Sequence, residues 1–512
     1  MVRTVPKTWT LLIPMVVVYG VVRLLVSEGY GFHRDEFLYL AQGRHLAWGF
    51  WSNPPGPGFM SWLTQQTLGD SVIALRIIPS ALAAATAYVT AQIAREFGAN
   101  RFGQFLAAFS IMVSGVFLRV FLLFNPVPFD VFYWSLLTYI LVRYIRTSHP
   151  NLLLLFGLIC GFGILNKYSV ALLLLPLLVI LPWTSLRSVF LEKKMYAGVI
   201  LAALVALPNL LWQYHHNFPV TSHMAELQEN QLANVTASGF IIDQVLFNAN
   251  ILWVWISGLL FCFSTHGKKF RTMGFLFLGV IGLILALQGK SYYTLGIYPV
   301  MIGAGARMWE RWSEGRNWLR FTLPLVSLLM IVPILPVAWP FLSAQGLQEY
   351  GEKYGMESFF RWEDGQVHTL PQDFADMFGW QELAELVGQA HDQVEEKEHC
   401  LIYCSNFGQA GAVDYFGKKY ALPPVHSFAD SWKLWLPEQV SAAHHTLIYV
   451  NDNLGEDVED LFASITLIGQ VENEFARERG TLVYRCEKPR SSLADFFNGR
   501  MKEVREASGL PE

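Results

Sequence analysis

Charge is what this chain has little of. Only 15% of its 512 residues are Asp, Glu, Lys or Arg, against about 25% in ordinary soluble domains. The shortage is uneven: apolar runs dominate up to about residue 345, and the remainder has the texture of a soluble domain. A single soluble globule is thereby excluded. The pattern predicts a multi-span membrane domain over 1–344 and a soluble domain over 345–512. Excess basic charge is also missing. The net charge of -4 gives no reason to expect a nucleic-acid partner. Cysteine is scarce, and five residues are too few for a disulfide framework. Cys400 and Cys404 stand four apart on an expected strand, too far to bridge each other. Pairing of one of them with Cys486 and free buried thiols are equal alternatives. No small-residue cleavage site follows the first apolar run, Trp9 to Val26, although Arg3 and Lys7 precede it, so we read an uncleaved first span. No glycine-rich phosphate loop opens a helix after residue 345, which argues against a nucleotide-binding domain.

What is present is a succession of apolar runs. A crossing helix needs roughly 20 apolar residues. Candidates fall at 9–28, 71–94, 102–122, 128–146, 151–167, 168–185, 196–214, 243–263, 272–288, 291–308 and 321–343, about eleven spans. With the N-terminus inside, 16 of the 23 Lys and Arg residues up to position 320 lie in proposed inner loops or before the first span. The proposed outer loop 215–242 has none. This obeys the positive-inside rule, and an odd number of spans places the C-terminal domain outside. Seven cations break the pattern: Arg23, Arg34, Arg44, Arg76, Arg119, Lys167 and Lys290. Snorkelling to outer headgroups is an alternative of equal weight for Arg23, Arg44 and Arg76. Lys167 and Lys290 sit in polar breaks between closely spaced spans. Outward cations facing one acidic loop suit an anionic substrate group. After residue 345, strands are expected at Cys400–Cys404, Thr446–Val450, Ile465–Ile468 and Thr481–Arg485. Helices are expected at Gln381–Val394 and Phe407–Tyr415, giving a small α/β domain. The polar tail from about Lys488 reads as loosely ordered.

The first outer loop, 29–70, holds the chemistry. It begins GYGFHRDEFLYLAQ and turns aromatic and proline-rich at Trp48, Phe50, Trp51, Pro54, Pro55 and Pro57. Asp35 and Glu36 are adjacent, so on a helix they point about 100° apart and at most one faces a given cleft. Asp35 shares a face with Tyr39 and Gln42. One reading has both acids stabilising a helix N-terminus, with His33 and Arg34 in a surface ion-pair cluster. The other makes one carboxylate a general base, with cations stabilising the charge that develops on a leaving group. A glycosidase would instead need two carboxylates at a defined separation. Asp130, after Asn125-Pro126-Val127-Pro128, is costly at its depth unless paired or functional. A salt bridge to Arg119 or Arg34 and a second catalytic role stand level. His215, His216 and His223 lack a defined ligand set, and a loop-surface role is favoured over metal binding. Asn234-Val235-Thr236 fits a glycosylation acceptor.

HRDEFLYLAQ with Trp51-Ser52-Asn53-Pro54-Pro55, then FNPVPFD, GLICGFGILNKYSVALLLLP, LPNLLWQYHHNFP and GKSYYTLGIYPV, together resemble protein O-mannosyltransferase-like glycosyltransferases. These are family 39 and its aminoarabinose-transferase relatives, integral-membrane enzymes of the GT-C fold. The five segments occur in the family's order and cover most of the membrane part. The C-terminal region, around NFGQAGAVDYFG and WKLW, is similar to the outer domains of bacterial members.

The resemblance implies an α-helical polytopic protein that transfers a sugar from a polyprenyl-phosphate donor to an acceptor hydroxyl, with inversion, on the outer face of a bacterial plasma membrane. Asp35 matches the proposed base, and Glu36 and Asp130 match accessory acids. Lys167 and Lys290 match basic positions suited to the lipid phosphate. Arg34, Tyr39, Tyr292 and Tyr293 join them as candidate substrate-binding residues. No metal ligands are assigned; no cofactor is firmly implied, though a divalent metal is compatible. The acceptor (protein, glycolipid or polysaccharide) is left open. Two rivals stand beside this reading: a transporter or flippase of a lipid-linked substrate, which needs broken helices and polar residues deep in the spans, and a non-catalytic assembly subunit.

Overall fold

The computed structural model describes residues 9–26, 30–230 and 235–510. Gly29, at the head of the acidic stretch, and Asn234, of the glycosylation triplet, lie outside them. The chain forms two compact units. The first draws on Met1–Glu28, Leu75–Leu210 and Glu226–Phe341, the second on Gly29–Ala74, Leu211–Ala225 and Leu342–Glu512.

The first unit is helical, and its core contains the fully buried Phe117, Trp134, Phe240 and Tyr298. Helices Leu252–Phe263 and Tyr298–Trp312 pack backbone to backbone through a reciprocal pair of glycines. A methyl group on Gly258 would stand 1.9 Å from the Met301 carbonyl oxygen, and one on Gly305 would stand 1.8 Å from that of Val254. Small residues at a helix crossing permit this approach where no water is available to drive association. The buried Glu310 carboxylate accepts from the backbone amides of Asn100 (2.7 Å) and Gly103 (2.9 Å) at the start of helix Arg101–Val113. It satisfies donors that a helix start leaves without an intrahelical partner.

Three described helices are long and apolar enough to cross a membrane: Val72–Glu96, Lys193–His215 and Lys268–Ala286. The pair Ala237–Leu246 and Ala249–Phe263, bent by 56°, makes a fourth if counted as one span. A count of eleven does not follow from helix length and apolarity. Several expected spans are interrupted. The run 102–122 breaks at Ser114, whose backbone is extended (φ -68°, ψ 128°). The run 291–308 opens as a 3-10 turn, Ser291–Ile297. Helix Pro126–Thr147 has the length, but it carries Asp130, Arg143 and Arg146.

The exceptional cations are held by protein. Arg23 is buried and donates to the Leu118 carbonyl (2.7 Å) and the Tyr19 hydroxyl (3.2 Å). Arg76 is fully buried. Arg44 pairs with Asp414 at 2.6 Å. Snorkelling describes none of the three.

In the second unit a five-stranded sheet comprises β1 (Cys400–Cys404), β2 (Val425–His426), β3 (Thr446–Asn451), β4 (Phe462–Gln470) and β5 (Leu482–Pro489), in the order β2-β1-β3-β5-β4. The first three run parallel and the last two pair antiparallel. Helices Trp380–Asp392 and Phe407–Phe416 lie where the sequence places them. The two-residue β2 was not anticipated, because it is too short to show a period. The tail is a correction. Rather than loosening after Lys488, the chain forms helix Leu493–Ser508. Its Leu493, Ala494, Phe497 and Met501 recur on one face and enter the core with Leu447 and Tyr449. The surrounding polar residues mask that stripe in composition, though not in period.

All five cysteines are free and buried. Cys486 faces Leu447 of β3, which faces Leu401 of β1. One strand therefore separates Cys486 from Cys400 and Cys404, about 10 Å across two strand spacings, beyond disulfide reach.

His426 on β2 packs edge-on against Phe497 at 5.8 Å. Burial lowers it from 6.5 to about 4, with His444 adding to the effect. The unfolded chain then binds a proton that the folded chain refuses. Stability is full above pH 6.5 and falls as pH drops towards 4, by about 3 kcal/mol at the limit. His426→Gln should flatten this part of the stability profile, read from thermal unfolding in detergent between pH 7 and 4. An unchanged slope would show that other groups set it.

Candidate functional site

Asp35 and Glu36 occupy the first turn of helix Arg34–Arg44. His33 is its N-cap. The His33 Nδ1 accepts from the Asp35 amide (3.1 Å), and the Glu36 carboxylate accepts from the His33 amide (2.9 Å). This is a capping box with histidine in the usual Ser/Thr place. Glu36 is fully buried and its carboxylate serves the backbone. Asp35 is half-buried, and its carboxylate accepts no hydrogen bond among the described residues. The two adjacent acids thus have different environments.

The helix is seated on distant parts of the same unit. The Arg34 amide donates to the Asp376 carbonyl (3.0 Å), which also accepts from Trp380 Nε1 (2.7 Å). The Asp376 carboxylate is buried, 3.1 Å from Arg477 Nη1 and 3.7 Å from His33 Nε2. Burial pushes its carboxyl up, and His33, Arg477 and Arg34 pull it part of the way back. The surface ion-pair cluster expected at His33 and Arg34 is instead a buried anchor. The Arg34 guanidinium lies over the Phe407 ring at 4.4 Å. Helix Phe407–Phe416 comes close because Gly408 and Gly411 have no side chains. A methyl on either would stand 2.6 Å from Arg34 Cγ or Phe37 Cβ, respectively.

Further along, Gln42 and Asn53 exchange side-chain hydrogen bonds at 2.9 and 3.1 Å, and Gln42 also donates to Ser431 (3.1 Å). Ser52 donates to Asp430 at 3.0 Å. Tyr39 is buried beside this network. Burial raises its phenol well above the ordinary range, with Asp35 and Asp430 adding to the rise. Trp51 is buried beneath the Lys433 ammonium, 4.0 Å from its ring centre.

The first unit holds a second group. Asp130 lies in the first turns of helix Pro126–Thr147, capped by Asn125. It is 6% exposed, and its Oδ1 lacks a hydrogen-bond partner among the described residues. Lys167 stands at the break between helices Asn151–Asn166 and Val170–Ile180, close enough to feel both Asp130 and Lys290. Asn166 fastens the break by donating to the Pro126 carbonyl at 3.0 Å. The Lys167 ammonium lies 4.6 Å from the Tyr293 ring centre and 5.6 Å from that of Tyr292, and the Lys290 ammonium lies 6.0 Å from Tyr292. Arg119 turns elsewhere, donating to the Val337 carbonyl. The first unit thus gathers Asp130, Lys167, Lys290, Tyr292 and Tyr293, and the second gathers Arg34, Asp35, Glu36 and Tyr39. His216 stacks on Trp212 at 4.0 Å; with His215 and His223 it forms no metal-ligand group among the described residues.

A family model for dolichyl-phosphate-mannose-protein mannosyltransferase matches residues 52–212. The lipid A galacturonosyltransferase RgtD of Rhizobium johnstonii is 26% identical over 343 residues, 62% of this chain and 68% of RgtD. ArnT from Cupriavidus metallidurans in its apo state superposes with a TM-score of 0.60 at 12% identity, covering 92% of this chain and 97% of ArnT. The chain has the GT-C fold of ArnT, and its sequence is similar to that of glycosyltransferases. The fold and the long apolar helices are those of a multi-pass membrane protein. Its likeness to ArnT bound to undecaprenyl phosphate has a TM-score of 0.58 at 13% identity, with the same coverage. The family match includes Asp130 and Lys167 and stops short of Asp35 on one side and Lys290 on the other.

Sequence reasoning missed Asp376, Arg477 and Trp380 as supports of the acidic helix. They lie more than 300 residues away in the chain and belong to no motif. An acid within the mostly apolar FADMFGW segment was the one available sign.

Proposed function

We propose that this glycosyltransferase moves a sugar from a polyprenyl-phosphate donor to an acceptor hydroxyl, inverting the anomeric centre, on the outer face of a bacterial plasma membrane. The N-terminus is then cytoplasmic, and region 345–512 lies outside. The observation that carries the reading is the division of labour between Asp35 and Glu36. Glu36 is consumed in the capping box, and Asp35 keeps a carboxylate without a hydrogen-bond donor among the described residues, on a helix start held from several sides.

Asp35 takes the hydroxyl proton as the oxygen attacks the anomeric carbon. The bond to the lipid phosphate breaks, and the phosphate leaves with the electron pair. Lys167 and Lys290 stabilise the charge on that phosphate, and Tyr292 and Tyr293 fix the ammonium groups through their ring faces. Glu36 is a positioning residue for Asp35, and Asp130 is an accessory acid whose charge acts on Lys167. Tyr39 and Arg34 flank the base. The lysines supply positive charge where the leaving phosphate needs it. RgtD and ArnT, as a named lipid A sugar transferase and a protein that binds undecaprenyl phosphate, support this donor and acceptor chemistry.

The test is transfer of label from a panel of radiolabelled polyprenyl-phosphate sugars by purified protein, with membrane extract supplying acceptors. Label passing from the donor to another fraction supports the reading, and that fraction identifies the acceptor. Binding of donors with no transfer from any of them would favour a transporter or an assembly subunit.

A further inference from the structure

Glu396, His399 and His445 converge on the surface of the second unit, at the leading ends of the adjacent parallel strands β1 and β3. His399 and His445 immediately precede Cys400 and Thr446, which are partners in the strand register. The backbone holds all three. The His445 amide donates to the His399 carbonyl at 3.2 Å, and the His399 amide donates to the Glu396 carbonyl at 3.0 Å. Their side chains meet at one oxygen: Glu396 Oε2 is 2.8 Å from His399 Nδ1 and 3.0 Å from His445 Nε2. The two rings stand 5.5 Å apart at 64°, and the three donor atoms all lie within 4.8 Å of one another.

We propose that these residues form a divalent metal site of the zinc class, apart from the transfer reaction and independent of it. Two imidazole nitrogens and one carboxylate oxygen are a ligand set suited to zinc, whereas magnesium and calcium prefer oxygen. Metal-ligand bonds of about 2.0–2.1 Å in a tetrahedron hold donor atoms about 3.3 Å apart. The observed 2.8 and 3.0 Å are a few tenths short of this. The Glu396 side chain, 58% exposed, has the room to withdraw by that amount. His445 also has the outer partner that a ligating histidine uses to set its ring: its Nδ1 is 3.2 Å from the Thr446 hydroxyl. That hydroxyl accepts from Nδ1–H when Nε2 holds a metal, and donates when Nε2–H faces the carboxylate. The nearby Lys397 ammonium is engaged 2.9 Å from Asp392. Exposure of the cluster leaves a fourth position for water or a further ligand.

The competing arrangement is a carboxylate accepting two imidazole hydrogen bonds with no ion. To distinguish them, Zn²⁺ is titrated calorimetrically into the tag-free full-length protein in detergent with excess Mg²⁺, and Co²⁺ is followed by its visible absorption. The expected result is one saturable Zn²⁺ per chain and the intense visible band of tetrahedral Co²⁺. Binding should weaken at least about tenfold in each of Glu396→Gln, His399→Gln and His445→Gln, and vanish in the triple variant. Circular dichroism and metal-free thermal unfolding check that each variant folds. Binding unchanged in a folded triple variant would move the site elsewhere. Absence of saturable binding by folded wild type would leave the cluster a hydrogen-bonded triad and overturn the proposal.

Discussion

Asp35→Asn lowers sugar transfer by two to four orders of magnitude, about the range that a positioned general base contributes, and leaves the protein folded. The amide is nearly isosteric and cannot take the acceptor proton. The structural cost is small. The Asp35 carboxylate accepts no hydrogen bond among the described residues, and the capping bonds of its helix belong to His33 and Glu36. What is lost is a favourable charge near the helix start, about 0.3–1 kcal/mol. The loss should fall on kcat, with donor KM little changed, because the interaction is made only as the reaction proceeds. Glu36→Gln is the control. It weakens a capping bond, costs about 1 kcal/mol of stability, and leaves measurable transfer. Initial rates with thermal unfolding in the same detergent separate the two. Near-normal turnover by Asp35→Asn would remove it as the base.

Replacing both Lys167 and Lys290 by Gln is expected to lower kcat/KM by at least about two to three orders of magnitude, the scale for loss of one charge-stabilising donor. Here donor KM should rise as well, since the phosphate is charged before reaction as well as after it. Two ammonium groups near enough to repel each other, walled by Tyr292 and Tyr293, favour an anion between them. Lys167→Gln alone carries a further cost. It takes a neighbouring cation away from the buried Asp130, and a buried carboxylate left with less compensation is destabilising. Adding Asp130→Asn to Lys167→Gln should therefore recover stability without recovering transfer. Rescue of both together would make the lysine a structural partner of Asp130 and nothing more. Kinetics over a range of donor concentrations, with thermal unfolding of each variant, gives the answer.

Several features were legible because they depend on composition and short-range period. The low charge and the long apolar runs are properties of linear segments meeting a bilayer. β1 and helix Phe407–Phe416 were placed to within a residue, since alternation and turn chemistry are local. Span boundaries were less legible. A long apolar run does not reveal where Ser114 or Ser291 interrupts a helix, because neighbouring segments receive the freed backbone groups. The C-terminal helix was overlooked because its apolar face is only four residues, and burial against Leu447 and Tyr449 stabilises it.

The sequence by itself determined that this chain is built for a membrane, that an acidic helix start lies near its beginning, and that lysines interrupt its apolar runs. Those facts follow from residue type and spacing alone. Only the tertiary structure decided which of two neighbouring carboxylates is committed to the backbone and which is left uncommitted. It also decided that Arg23, Arg44 and Arg76 are held by protein, and that His33 is anchored on an aspartate at position 376. Adjacent residues in a helix point in different directions, and what each one meets is set by packing partners hundreds of residues away, whose positions no local pattern records.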